Sequence, residues 1–250
     1  MPQGITVNFK SYKETIPQVL KLIKLENELK KFDKIILLVN LEDSDNSTSP
    51  EFIEPVLRFC LENKNPVSEI FIASGADGFD TIELFNSKGY KKLSEAYSIG
   101  LIDLNGTETK EIENSNFMKF SQITYPSILL DSFVISLTKL SENLEYIMHA
   151  SLSNMLNAFP ASKYKGFFSS KKNKIRKNPI KYSIHDIIQC KMPNLAVLDA
   201  SDKGKLIIGK PLEVDKQASK ILGKASKEVP YLNLFEQESQ KPSKGVELIQ

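Results

Sequence analysis

Short runs of branched apolar residues alternate with longer segments of helical periodicity in the first hundred residues, and this alternation strongly constrains the fold. The run KIILLV at 34–39 is continuously apolar and too short for a helix, which is typical of a strand covered on both faces. The segment at 15–32 instead places apolar side chains at helical spacing. Repeated strand and helix units favour parallel strands connected by helices. We therefore predict an α/β fold with a mostly parallel sheet and flanking helices.

The pattern becomes less regular after Gly106. A polar segment at 108–120 predicts an edge hairpin or a loop. Two apolar runs at 127–130 and 133–137 are separated by an Asp-Ser pair, so we predict one strand that enters the core and one that leaves it. The apolar spacing at 144–159 predicts a helix.

The chain length of 250 residues is near the upper end of what one hydrophobic core serves. We predict one domain over residues 5–235, built from two closely packed α/β lobes at 5–126 and 127–235. A tail at 237–250 has few apolar residues to bury.

Composition excludes several broad classes of protein. With 33 Lys and Arg against 31 Asp and Glu, the net charge of +2 gives no global argument for a nucleic-acid or membrane partner. The N-terminus lacks a signal-peptide pattern and no apolar run is long enough to span a bilayer, so we expect a cytoplasmic protein without a membrane partner. Cys60 and Cys190 form no CxxC pair, so we predict buried free thiols and no iron–sulfur cluster.

Local start and turn signals are clear at two places. Ser49 followed by Pro50 predicts the N-cap and first position of a helix. In SGADGFD, Gly75 and Gly78 permit a tight turn from strand to helix and Asp80 can cap that helix. A backbone phosphate site in this turn is an alternative, but neither nucleotide-binding fingerprint is met.

Candidate metal ligands are sparse. The loop at 42–45 carries Glu42, Asp43 and Asp45, which could coordinate a hard cation, although a solvated loop is favoured because EF-hand spacing is absent. His149 lies on an apolar segment, which favours a core histidine over a metal ligand. His185 precedes Asp186, and because neighbouring side chains on a helix diverge by about 100°, we predict no pairing between them.

A basic run without any acidic residue follows residue 160, and we refer to residues 163–181 as the basic loop. Aromatic residues flank or interrupt it, a combination that single-stranded nucleic-acid grooves use for stacking and phosphate contact. A solvated loop and a site for a small anion are the alternatives. Its cations are Lys163, Lys165, Lys171, Lys172, Lys174, Arg176, Lys177 and Lys181, and its aromatic neighbours are Tyr164, Phe167, Phe168 and Tyr182.

The order of motifs over roughly residues 5–235 resembles the domain of unknown function 362 family, which occurs alone or fused to ferredoxin-like iron–sulfur modules. The resemblance is strongest over 132–160. It rests on KIILLVNLED, SPEFIEPVLRF, IFIASG, SKGYKKLSEAYSIGLIDLN, DSFVISLTKLSEN, HASLSNMLNAFP, IHDII, NLAVLDA and LEVDKQASKILG.

The resemblance implies candidate site residues, each by match to a family motif. Lys139 matches the first lysine of the usual Pro-Lys-x-Lys-Thr-His motif, Asn154 matches the asparagine of Lys-Asn-Met, and Asp215 matches a late aspartate. Asn40 and Asp199 match recurrent polar positions at strand ends.

Departures from the family pattern are equally informative. Ser141, Glu142 and Asn143 stand where the family has its second lysine and Thr-His, while Ser153 replaces a lysine and Asn157 a glycine. The cationic and imidazole groups that could stabilise an oxyanion or transfer a proton are therefore missing. The cysteines of the ferredoxin-like modules are absent as well, so the redox role of the fused relatives does not transfer.

These observations lead to three hypotheses of function. The first is a divergent, non-catalytic family member that binds an anionic small ligand or a macromolecular partner beyond the carboxyl ends of the strands. The second is a metal-dependent enzyme of unknown reaction, and the third is a nucleic-acid or ribonucleoprotein binder that uses the basic loop. The ligand-binding residues predicted under the first are Asn40, Ser74, Lys139, Asn154, Asp199 and Asp215.

Overall fold

The computed structural model describes residues 3–41 and 47–240, apart from the side chains of the last two. Its strands are β1 (Ile5–Asn8), β2 (Lys34–Val39), β3 (Glu69–Ser74), β4 (Gly100–Asp103), β5 (Thr109–Ile112), β6 (Ile123–Pro126), β7 (Phe133–Lys139), β8 (Ser141–Asn143), β9 (Ile147–His149), β10 (Leu195–Ala200) and β11 (Lys205–Gly209). Its α-helices are α1 (Tyr12–Leu22), α2 (Glu26–Leu29), α3 (Pro50–Asn63), α4 (Thr81–Ser87), α5 (Tyr90–Tyr97), α6 (Ser127–Leu130), α7 (Ala161–Tyr164), α8 (Ile180–Cys190), α9 (Pro211–Ile221) and α10 (Pro230–Gln240). Short 3-10 helices cover Ser153–Ala158, Asn173–Arg176, Ser201–Lys203 and Ser226–Glu228.

Seven of the strands form one sheet in the order β1-β11-β10-β7-β2-β3-β4. The five from β10 to β4 are mutually parallel, β11 is antiparallel to β10, and β1 is antiparallel to β11. This confirms the predicted α/β fold with a mostly parallel sheet. After β2 the chain adds β3 and β4 on one side, and then β7 and β10 on the other, so the strand order reverses between β2 and β7. In open parallel sheets this reversal is where ligands usually bind.

Apolar layers cover both faces of the sheet, as the continuous run in β2 predicted. Ile35 and Leu37 belong to one buried cluster, together with residues of α1 and α3. Ile36 and Leu38 point to the other face, where they join residues of α8, α9 and α10. Because side chains alternate across a strand, a run that is apolar at every position requires a layer on each face.

The two halves of the chain share this sheet. β1 to β4 come from residues 5–126, whereas β7, β10 and β11 come from 127–235. The pair β5 and β6 and the pair β8 and β9 form two small antiparallel hairpins outside it. The helix α10 continues through residue 240 into the predicted tail, the rest of which lies outside the described residues.

The local start and turn signals are confirmed. The Ser49 hydroxyl accepts a hydrogen bond from the N–H of Phe52 at the start of α3 (3.3 Å), and the Asp80 carboxylate caps α4 by accepting from the N–H of Glu83 (2.9 Å). Gly78 has a φ of +88°, a left-handed conformation in which glycine avoids the strain of a side chain.

Three element predictions were wrong. The segment at 15–32 is two helices, α1 and α2, because the backbone turns at Lys24 with a φ of +54°. Residues 127–130 form α6 instead of a strand. Residues 144–159 form part of the β8–β9 hairpin and a 3-10 helix, because the Asn143 side chain accepts the N–H groups of residues 145 and 146 and thereby closes a turn.

Candidate functional site

The carboxyl ends of β10, β7, β2, β3 and β4 lie along one edge of the sheet, which we call the carboxyl edge. The segments that follow these strands bring polar and charged side chains together there.

A narrow polar pocket of about 30 Å³ opens at the ends of β2 and β3, and we call it the edge pocket. Its wall comes from the strand ends, from the β9 region and from the basic loop. The lining includes Asn40, Asp77, Tyr146, His149, Asn157, Lys172 and Arg176.

Two cations of the basic loop fold back into the edge pocket. Lys172 is almost fully buried, its Nζ donates to the carbonyl oxygen of Gly75 (2.6 Å), and its backbone N–H donates to Asp77. Arg176 contacts Asp77 through Nη1 (2.6 Å) and Glu145 through Nε (3.3 Å). Burial alone would lower the pKa of Arg176, but the two carboxylates outweigh burial and raise that pKa.

The turn after β3 therefore presents oxygen atoms to Lys172 and Arg176. The carbonyl of Gly75 and the carboxylate of Asp77 both accept hydrogen bonds from cationic residues. Acceptors of this kind attract cations, whereas a phosphate-binding turn presents N–H donors. Asp77 belongs to the SGADGFD motif, but the motif alone did not identify it as a site residue.

His149 borders the same pocket and lies on β9, not on the predicted helix. Its Nδ1 is 3.1 Å from the Tyr146 hydroxyl and 3.4 Å from the Ser153 hydroxyl. The sequence favoured a core histidine, and the residue is indeed buried at 8% exposure, yet it also contributes to the wall of the pocket.

Two asparagines hold the segment after β9 against the end of β2. Asn154 Nδ2 donates to the carbonyl of Leu38 (3.1 Å) and to the Ser136 hydroxyl (3.0 Å). Asn157 Nδ2 donates to the carbonyl of Val39 (3.3 Å) and to Asn154 Oδ1 (2.9 Å). Asn154 is thus a buried amide that positions the segment, and Asn157 is the one that borders the pocket.

Lys139 and Asp199 are register partners on β7 and β10, next to the reversal of strand order. Lys139 Nζ pairs with Asp202 (2.9 Å), while Asp199 accepts a hydrogen bond from the Tyr12 hydroxyl (2.7 Å). Burial raises the pKa of Tyr12, and the Asp199 carboxylate adds to the rise. These residues form a second polar group at the carboxyl edge, and none of them lines the edge pocket.

Two predicted residues point into the protein interior. Ser74 ends β3 and is fully buried, without a wall position in the edge pocket. Asp215 is buried on α9 and accepts hydrogen bonds from the backbone of Ser151 and Leu152, from the Ser151 hydroxyl and from the Tyr231 hydroxyl (3.0 Å). Burial outweighs these bonds and raises the pKa of Asp215 to about 6.

An open cleft of about 560 Å³ adjoins the edge pocket through Arg176, and we call it the cationic cleft. Lys177 and Lys181 line it together with Pro179 and Pro230. Glu145 is the one acidic residue among its described walls, and that carboxylate is already bonded to Arg176.

In the rest of the basic loop the cations are exposed or half-buried, whereas the aromatic residues range from buried to fully exposed. Tyr164 is buried and packs edge-on against Phe159, whereas Tyr182 is half-buried. Phe167 and Phe168 are exposed. The exposed or half-buried cations are Lys163, Lys165, Lys171, Lys174, Lys177 and Lys181.

The predicted separation of His185 and Asp186 was wrong. Both are fully buried, and His185 Nδ1 lies 2.7 Å from Asp186 Oδ1, while Nε2 lies 2.9 Å from Glu238 on α10. Side chains that diverge at Cβ can still converge at their ends. The pair lies in the helical layer between α8 and α10 and does not line the edge pocket.

Within residues 3–41 and 47–240, no three His, Cys, Asp or Glu side chains are grouped as metal ligands. The acidic loop with Glu42, Asp43 and Asp45 lies outside the described residues. Cys60 is a buried free thiol as predicted, and Cys190 is free and half-buried. Among the described helices, none is long and apolar enough to cross a bilayer.

Comparison with known proteins agrees with this architecture. The model of the family described as Domain of unknown function (DUF362) matches residues 12–206, which is more than half of the chain. The chain belongs to this family. No curated protein matches its sequence.

Among the solved structures that match, one with a TM-score above 0.5 supports the same fold. The lactate racemase apoprotein from Thermoanaerobacterium thermosaccharolyticum matches with a TM-score of 0.59 and 12% identity, over 92% of this chain. The chain spans 59% of the length of that protein. A protein from Thermotoga maritima matches with a TM-score of 0.37 and 15% identity, over 74% of this chain and 50% of the other.

Proposed function

We propose that this DUF362 member is a non-catalytic binding protein for a small anionic molecule, which it holds in the cationic cleft. The observation that supports this best is the grouping of Arg176, Lys177 and Lys181 around one open cavity of about 560 Å³. Cavities of this size accept small ligands, and clustered cations select anions by charge.

The fixed position of Arg176 adds to this argument. Because Asp77 and Glu145 hold the guanidinium in place, it can meet an anion without losing much side-chain freedom on binding. Among the described residues neither Lys177 nor Lys181 forms an ion pair, and Lys181 Nζ lies 5.1 Å from the centroid of the Tyr182 ring, so both ammonium groups can turn toward a bound carboxylate or phosphate. The ligand's uncharged part would lie against Pro179, Ile180 and Pro230.

The absence of catalysis is part of the proposal. It rests on Ser141, Glu142, Asn143 and Ser153, which replace the cationic and imidazole groups of the family motifs. The ligand-binding role of Asn40, Ser74, Lys139, Asn154, Asp199 and Asp215 stays a separate prediction, because none of them lines the cationic cleft and Asn40 alone borders the adjoining edge pocket.

Isothermal titration calorimetry with pyrophosphate, succinate and lactate tests the proposal. Lactate is included because lactate racemase shares the fold. We expect one of these anions to bind with 1:1 stoichiometry and the variant Lys177→Gln/Lys181→Gln to bind it about tenfold more weakly for each lysine removed. The matched control, Lys30→Gln/Lys34→Gln, removes the same charge near the amino end of β2 and should bind as the parent does. Equal loss in both variants, or no binding of any of the three anions, contradicts the proposal.

The two alternative functions have less support. A metal-dependent reaction that uses Lys139, Asp199 and Asp215 requires side chains that converge, but Asp215 is surrounded by four hydrogen-bond donors in the core. Nucleic-acid binding through residues 163–181 loses one of its predicted stacking residues, because Tyr164 is buried.

A further inference from the structure

The tip of the basic loop carries two adjacent phenylalanines with almost no protein contact. Phe167 is 94% exposed and Phe168 is 96% exposed. Their rings touch each other with centroids 4.7 Å apart and planes at 86°, so they form a single apolar knob. Single exposed apolar residues are common on soluble proteins, whereas a contiguous apolar projection marks a contact surface. We refer to this pair as the phenylalanine knob.

Backbone hydrogen bonds hold the phenylalanine knob in shape. The N–H of Gly166 donates to the carbonyl of Lys171 (3.1 Å), which closes the loop below the two rings. The N–H of Lys171 donates to the Ser169 hydroxyl (3.1 Å). The knob is therefore presented on a closed turn and does not depend on burial of its own side chains.

The base of this turn is attached to the carboxyl edge of the sheet. Lys172 is bonded to Asp77 and to the carbonyl of Gly75. Lys171 packs so closely on the turn after β3 that a Cβ added to Gly78 would lie 2.9 Å from its Cγ. The same turn carries Phe79, which is 58% exposed.

Positive charge surrounds the phenylalanine knob on both sides in sequence. Lys163 and Lys165 precede it, Lys171 and Lys174 follow it, and all four are exposed. No acidic residue occurs between positions 161 and 181. Four exposed lysines therefore flank the two exposed rings in sequence, and we call these lysines the lysine collar.

We propose that residues 163–174 form a peripheral contact for an anionic lipid surface. Phe167 and Phe168 enter the boundary between headgroups and acyl chains, while the surrounding lysines lie at the level of the lipid phosphates. Such contact requires no membrane-spanning helix, and the net charge of the whole chain did not reveal it because the cations are concentrated in one loop.

The setting of the rings favours a bilayer over a nucleic acid. Single-strand binding combines aromatic stacking with a positively charged groove that follows the backbone. Phe167 and Phe168 instead project from a closed turn and are 94% and 96% exposed. A phenylalanine pair without polar atoms matches an apolar medium, and the lysine collar is complementary to anionic headgroups.

Vesicle sedimentation of the full chain tests this contact. We expect binding to vesicles of phosphatidylcholine with phosphatidylglycerol, weak or no binding to pure phosphatidylcholine, and weaker binding at high salt. Phe167→Ser/Phe168→Ser should lower the partition coefficient by about tenfold per residue, and Lys165→Gln/Lys171→Gln by about fivefold per residue. The matched controls are Val67→Ser, an exposed apolar residue before β3, and Lys30→Gln/Lys34→Gln, and both should bind as the parent does.

A spectroscopic reporter separates lipid insertion from other contacts. The chain contains no tryptophan, so Phe167→Trp introduces a single indole at the knob and Val67→Trp introduces one at the opposite edge of the sheet. We expect anionic vesicles to shift the emission of the knob reporter to shorter wavelength and to leave the control unchanged. The proposal is overturned if vesicles do not shift the knob reporter, if the phenylalanine variant binds vesicles like the parent, or if single-stranded RNA binds through this loop and vesicles do not.

Discussion

Gly75 provides a sharp test of how the carboxyl edge is assembled. It follows β3 directly, its carbonyl accepts the Lys172 ammonium, and the chain at Asn157 passes against its Cα. A Cβ added at this position would lie 2.3 Å from the carbonyl oxygen of Asn157. Two backbone segments therefore meet here at a distance that only glycine permits.

The structure allows the cost of Gly75→Ala to be worked out. Ordinary van der Waals contact of a Cβ begins at 3.4 Å, so relief of the 2.3 Å contact with the Asn157 carbonyl oxygen requires the two segments to separate by about 1 Å. Overpacking of this kind costs about 1 to 3 kcal/mol, and because the obstacle is backbone and not the end of a side chain, we expect about 2 to 3 kcal/mol. For a chain of this size, that corresponds to a fall in Tm of about 4 to 12 °C.

Gly106→Ala is the matched control. Gly106 lies in the turn after β4, its φ is not in the left-handed region, and an added Cβ meets no atom within 4 Å. The same chemical change should therefore leave stability unchanged or raise it by about 0.4 to 1 kcal/mol through the unfolded state. Urea unfolding followed by circular dichroism measures both variants. If Gly75→Ala is as stable as Gly106→Ala, the close approach of β3 and the segment at 157 does not exist as described.

Three further predictions concern buried charge and helix caps. Burial raises the folded pKa of Asp215 to about 6, so its contribution to stability is complete below the usual value of 3.8 and is lost as pH rises through about 6. The stability of Asp215→Asn relative to the parent should therefore rise by about 2 kcal/mol between pH 4 and 7. A difference in unfolding free energy that stays constant with pH would contradict this. Burial would lower the pKa of His185, but Asp186 and Glu238 outweigh burial and raise it, so its stabilising contribution is complete below pH 6.5 and is lost as pH rises through the folded pKa. Glu238→Gln should lower the His185 titration midpoint in NMR spectra, and an unchanged midpoint would refute the pairing. Asp80→Ala should cost about 1 kcal/mol by removing the α4 cap, whereas Asp80→Asn should retain most of that energy, as urea unfolding can verify.

The first half of the fold was predictable because its signals are local. The apolar run of β2, the Ser49 and Pro50 start of α3 and the Asp80 cap of α4 each depend on residues within a few positions of one another. Propensity and capping chemistry operate at that range, so the strand and helix order follows from the residues themselves.

The segment at 144–159 shows why the site was harder to predict. Its apolar spacing resembles a helix, but Asn143 closes a turn and Asn154 and Asn157 bond to carbonyls at the end of β2. Those partners lie more than a hundred residues away in sequence, so no local pattern contains them. Lys172 and Arg176 likewise contact a carbonyl and a carboxylate that follow β3, 97 and 99 residues away in sequence.

The basic loop shows most clearly which properties follow from the sequence and which follow from the tertiary structure. The sequence alone predicted a local concentration of positive charge in this loop, and the order of motifs indicated the family. Charge and motif order both depend only on residue type and spacing. Long-range contacts decide which residues of the loop have which role. They bury Lys172 and pair Arg176, and they leave a cationic cleft and an exposed phenylalanine knob. Each side chain acquires its role from atoms that become its neighbours on folding, and a linear pattern records residue types without recording those neighbours.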